Sequence, residues 1–111
     1  MQKVKSAGIP QKTVTGTSSN TAQSLSSLGA TVQYAQPAGQ TQTYKDAEFA
    51  DISVETNAVR VCRNGDATTS LGDPVYPGEY ISLEGKEEVA TATIISMVAG
   101  SHATLQITTE F

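Results

Sequence analysis

Along residues 57–63 apolar and polar positions alternate, with Val59 and Val61 on one face and Arg60 on the other. A period of two is that of a half-buried strand. Asn64-Gly65-Asp66 ends the run, because these residues tolerate positive φ in turns. The alternation returns at Glu79-Tyr80-Ile81-Ser82-Leu83, with Ile81 and Leu83 inward, after Pro77-Gly78, which fits a type II turn. Residues 91–98 are rich in β-branched side chains. Ala103, Leu105 and Ile107 alternate with Thr104, Gln106 and Thr108 in a last strand. Gly100-Ser101 between these two runs predicts a tight hairpin. Phe49-Ala50-Asp51-Ile52-Ser53-Val54 forms another strand, with a bend or bulge at Glu55-Thr56. No window has a convincing helical period. Residues 84–92 come nearest, and Gly85 sits inside them.

The first 45 residues carry a weaker pattern. Gln, Ser and Thr fill 20 of these positions, a linker-like composition. Against that, Val14/Thr15 and Thr31/Val32 favour extended structure. Residues 12–35 therefore read as one or two strands, pairing with the rest of the chain or with a neighbour. Leu25 and Ala22 are the main apolar positions of the Ser-rich stretch between them. The expected organisation is a polar, basic N-terminal arm over residues 1–45 and an acidic body over residues 46–111. Six to eight strands without intervening helices point to an all-β class. The form is a small antiparallel β-sandwich or jelly-roll-like barrel with an extended N-terminal arm.

Composition sharpens this picture. Of 111 residues, 38% are hydrophobic and 5% aromatic, and Trp is absent, so the core is small and aliphatic. A body of about 60–70 residues is marginally stable alone, which favours a homo-oligomer or a larger assembly. The charge is split: Lys3, Lys5, Lys12 and Lys45 stand in residues 1–45 with no acid, whereas residues 46–111 hold all 11 acids. Such asymmetry suits an arm that docks on an acidic surface, its own or a neighbour's. No Lys/Arg cluster with interleaved aromatics suggests direct nucleic-acid binding. No apolar run reaches membrane-spanning length and no signal-peptide pattern appears, so a soluble protein made in a reducing cytoplasm is expected.

Candidate chemistry is sparse. Cys62 is the one cysteine, which excludes an intramolecular disulfide. It should share the Arg60 face as an interface or buried thiol. His102 is the one histidine and lies beside a predicted turn, without a partner that would make it a general base. Asn64-Gly65-Asp66 and Asp73 match no calcium-loop spacing, and turn chemistry accounts for them. Glu84, Glu87 and Glu88 around Lys86 form a solvated acidic edge, or one that receives a basic arm. The sequence thus calls for no enzyme, metal or cofactor. The candidate interface residues are Lys3, Lys5, Lys12 and Val14 in the arm, with Tyr34, Tyr76 and Tyr80 as aromatic contacts.

The order of certain motifs adds a further expectation. Val14-Thr15-Gly16-Thr17-Ser18-Ser19 comes first, then Ala58-Val59-Arg60-Val61, then Pro74-Val75-Tyr76-Pro77-Gly78. The chain closes with Gly100-Ser101-His102-Ala103-Thr104-Leu105-Gln106-Ile107-Thr108. In this order the chain resembles the small β-sandwich structural proteins of tailed bacteriophages, from Thr13 onward. The segment from Gln36 to Lys45 takes no part in the likeness. The resemblance implies a non-catalytic virion component, such as a capsid decoration (cement) protein or a minor head or tail protein. It further implies binding to the major capsid protein or other virion proteins. The alternative expectation is a receptor- or carbohydrate-binding module of a phage fibre, using Tyr34, Tyr44, Tyr76 and Tyr80.

Overall fold

A computed structural model describes residues 11–36 and 43–111, with the side chains of residues 34–36 and 43–45 excepted. Lys3 and Lys5 lie outside the described residues. The strands in chain order are β1 (Gln11–Thr17), β2 (Gln23–Ser24), β3 (Gln33–Gln36), β4 (Thr43–Asp46), β5 (Phe49–Thr56), β6 (Val59–Cys62), β7 (Asp73–Val75) and β8 (Tyr80–Glu84). The short helix α1 (Lys86–Thr91), β9 (Thr93–Ser96) and β10 (Thr104–Glu110) follow. Two antiparallel four-stranded sheets result, ordered β1-β10-β5-β8 and β2-β9-β6-β7, and β3 pairs with β4 as a separate ribbon. The class is a small all-β sandwich.

The inward positions of the two sheets build one aliphatic core. Ala50, Ile52 and Val54 of β5, Leu105 and Ile107 of β10, Ile81 and Leu83 of β8, and Val59 and Val61 of β6 are all buried, following the period of two. Thr109 also faces inward, and its hydroxyl is satisfied by donating to the Thr31 carbonyl at 2.6 Å.

The segment read from sequence as an arm contributes to this core. β1 pairs with β10 along its length, from Gln11 opposite Glu110 to Thr17 opposite Thr104. β2 pairs with β9 in the other sheet. Between β2 and β3 the Ser-rich stretch closes a single helical turn. The Ser24 hydroxyl accepts from the Ser27 amide, Gly29 takes φ 90°, and the Ala30 amide donates to the Leu25 carbonyl. That is an N-cap at one end and a left-handed C-terminal glycine at the other. The spacing of three puts Leu25 and Leu28 on one side, and both are buried.

From β5 onward the chain steps repeatedly between sheets. Asn57 (φ 58°) turns β5 into β6, Gly78 (φ 88°) turns β7 into β8, and Gly100 (φ 83°) lies between β9 and β10. The hairpin expected at Gly100-Ser101 is therefore a corner. Val98 and Ser101 bridge locally, but β9 and β10 belong to different sheets. The helix α1 is also a departure from the sequence reading. Gly85 does not interrupt it but stands at its N-cap, and only Val89 of its residues is buried. One buried position in six residues leaves no helical period to read.

Residues 63–72 fold over the outer face of the second sheet. Arg60 donates from Nε to the Thr69 carbonyl at 2.8 Å and from a terminal nitrogen to the Gly72 carbonyl at 2.9 Å. Thr93 donates to the Gly65 carbonyl and accepts from the Ala67 amide. Ala67 and Ile95 are buried.

Candidate functional site

A contoured surface lies where the edge strands β7 and β8 meet. Pro77-Gly78 forms the turn read from sequence, closed by the Glu79 amide donating to the Tyr76 carbonyl at 2.9 Å. The turn is fastened to β5 by two further backbone bonds. The Gly78 amide donates to the Val54 carbonyl, and the Val54 amide donates to the Glu79 carbonyl. The Glu79 carboxylate accepts from the Tyr76 amide. On this braced turn Tyr76 is 49% exposed and Tyr80 68% exposed, and Leu71 nearby in sequence to β7 is also exposed. Aromatic side chains held out on rigid backbone lose little entropy on contact, which suits a binding surface.

Beside the turn an open cleft of about 560 Å³ is lined by Arg63, Asp73, Val75, Tyr80 and Ile81, among others. Arg63 organises it. Its guanidinium donates to the Ser82 carbonyl of β8 at 3.1 Å. It also lies 3.7 Å from the Asp73 carboxylate and 3.8 Å from that of Glu88. Both ion pairs are solvent-exposed and so contribute little to stability. The bond to the carbonyl has the more specific consequence, because it spans the gap between the two sheets.

His102 takes part in a different arrangement. Its Nδ1 lies 3.0 Å from the Ser96 hydroxyl, and Ser96 is 2.6 Å from the Ser18 hydroxyl. Ser18 in turn accepts from the Ala103 amide at 2.8 Å. A serine beside a histidine invites comparison with a nucleophile and its base. Here Ser96 and Ser18 are buried and committed to each other, which leaves no approach to a substrate. The series joins the end of β9 to the residues flanking β1 and β10, and so links the two sheets. Cys62 is remote from it. In the β6–β9 ladder Val59 opposes Ser96 whereas Cys62 opposes Thr93, about 10 Å further along. Cys62 is half-buried on the Arg60 side, its thiol 3.6 Å from the Asn64 carbonyl. Among the described residues no group of three His, Cys, Asp or Glu side chains is placed to hold a metal ion.

The sequence-derived interface residues are spread over the molecule. Lys12 is exposed and Val14 half-buried on β1, at one edge of the first sheet. Tyr80 lies on β8, at the other edge, with Tyr76 just before it. Tyr34 sits in β3 opposite Lys45. Tyr76 and Tyr80 thus flank one turn, while Lys12 and Val14 belong to a separate surface. Arg63 and Leu71 escaped the sequence reading. An arginine after a strand carries no mark of the carbonyl it will meet on another sheet. These features define a small all-β sandwich with a braced aromatic rim. Neither family models, nor curated proteins, nor solved structures gave a match to the chain.

Proposed function

We propose that this protein is a non-catalytic structural component of a tailed-bacteriophage virion, a decoration protein that binds the major capsid protein and stabilises the head. What supports the reading is where the resembling motifs fall. Val14 to Thr17 lie in β1, Val59-Arg60-Val61 in β6, Pro77-Gly78 in the β7–β8 turn and Thr104 to Thr108 in β10. The motifs are thus the framework of one sandwich. The likeness carries over association rather than chemistry. In this reading Tyr76 and Tyr80 anchor the contact with the capsid, and the lysines of residues 1–12 add attraction to acidic capsid surface.

The test is co-sedimentation of the full chain with heads of the phage that encodes it, after their small surface proteins have been stripped. Saturable binding at a fixed ratio to the major capsid protein is expected, lost in Tyr76→Ala/Tyr80→Ala. Protein that stays in the supernatant at every concentration would refute the proposal. The exposure of Tyr76 and Tyr80 also favours a second reading, a receptor- or carbohydrate-binding module. Specific glycan binding that disappears in Tyr80→Ala, together with no head binding, would select it.

A further inference from the structure

A two-sheet sandwich has four sheet edges, here β1 and β8 in the first sheet and β2 and β7 in the second. An edge strand presents unpaired backbone groups that can template another strand, and proteins usually blunt it. Three of these edges are blunted. β2 has only two residues. β7 has three, with Pro74 in the middle supplying no N–H. β8 is partly covered by side chains. Its ladder with β5 is bounded by Gly85 N–H to the Glu48 carbonyl and Val54 N–H to the Glu79 carbonyl. Bonded pairs in an antiparallel ladder alternate, so Tyr80, Ser82 and Glu84 direct their backbone groups outward. Arg63 occupies the Ser82 carbonyl, and the Glu88 carboxylate accepts the Glu84 N–H.

Among the described residues nothing protects β1 in this way. It is seven residues long, contains no proline and carries one charge, Lys12. The Ser18 N–H donates to the Ala103 carbonyl, so the bonded pairs with β10 fall on Gly16, Val14 and Lys12. Gln11, Thr13, Thr15 and Thr17 therefore turn their N–H and C=O groups outward. Among the described residues no strand but β10 pairs with β1.

We infer that β1 is a homodimer edge: two copies of this chain pair their β1 strands antiparallel across a two-fold axis, joining their first sheets into one continuous sheet. The strand fits itself. With Val14 opposite its own copy, Thr13 faces Thr15 and Gln11 faces Thr17 of the second copy, so every outward backbone group finds a partner. Equal parity on both sides keeps core-facing residues beside core-facing residues. The threonine hydroxyls extend a row already formed within one chain, where Thr13 contacts Thr108 at 2.9 Å and Thr15 contacts Gln106 at 3.3 Å. Lys12 stands opposite Gly16 of the copy, and the two Lys12 residues are four positions apart, about 13 Å.

Charge singles out the same edge. Residues 46–111 hold all 11 acids, and Glu84, Glu87 and Glu88 lie on or next to β8, three strands away from β1. Two copies meeting at β1 keep these acids apart, whereas meeting at β8 would oppose them. The inference is independent of the virion reading, because a monomer would overturn it and leave head binding unaffected.

Sedimentation equilibrium of the full chain over a wide concentration range is the test. A monomer–dimer equilibrium is expected. Thr15→Pro removes an outward N–H without touching the β10 ladder, and should raise the dissociation constant by roughly 100-fold or more. Thr13→Lys/Thr15→Lys places like charges opposite each other across the axis and should do the same. The circular dichroism of both variants should match the parent, and the lysine variant guards against a folding defect from proline. A parent that stays monomeric, or variants that dimerise as tightly as the parent, would overturn the inference. So would occupation of the β1 edge by residues 1–10 or by another protein.

Discussion

Leu25→Ala is expected to lower the unfolding free energy by about 2–5 kcal/mol. Leu25 is fully buried although it lies in a stretch that reads as Ser-rich linker. Removing its side chain leaves a hole that the surrounding strands cannot close, since both sheets are fixed by their ladders. Domains of this size have about 5–15 kcal/mol in total, so the loss is a large fraction. A urea titration against the parent measures it, and an unchanged midpoint would mean that the helical turn at Leu25 does not belong to the core. The same packing bears on truncation. Cutting the chain after residue 45 should not leave a folded body, because it removes β1, β2 and the buried Leu25, Leu28 and Ala30. A cut after residue 10 spares all of them.

Ser96→Ala is expected to cost about 1–3 kcal/mol, and His102→Ala clearly less. Ser96 is fully buried and is the middle member of the Ser18–Ser96–His102 series. Without its hydroxyl, buried Ser18 loses one of its two partners and keeps only the Ala103 amide, which donates to it. His102 is exposed, so water can take over at Ser96 when the imidazole is removed. Thermal unfolding of the two variants and the double variant gives the coupling directly. Equal losses for both single variants would argue that the imidazole carries a larger structural load than its exposure indicates.

How far the fold is legible depends on what each element answers to. β5, β6, β8 and β10 are read from sequence because each has one buried and one solvated face, which writes an alternation. The Pro77-Gly78 turn is read because proline and glycine dictate φ there. The partner of a turn is not written in this way. Gly100-Ser101 signals that the chain reverses, yet whether β10 pairs with β9 or crosses to the other sheet is settled by packing. The turn at Ser24–Gly29 is held by a serine hydroxyl and a positive φ, and its composition imitates a linker. Of the candidate surface, exposed Tyr76 and Tyr80 follow from the turn, whereas the role of Arg63 depends on a carbonyl 19 positions away.

β1 closing the first sheet against β10 is the point on which the dimer edge, the core role of the N-terminal third and the expected effect of a cut after residue 45 all depend. Amide hydrogen exchange resolved by residue tests it. On β10 the amides of Leu105 and Ile107 face β1, and those of Gln106 and Thr108 face β5. Comparable protection at all four positions, with Val14 and Gly16 also slow, is the predicted result. Slow exchange at Gln106 and Thr108 alone, with Leu105, Ile107, Val14 and Gly16 exchanging freely, would contradict it.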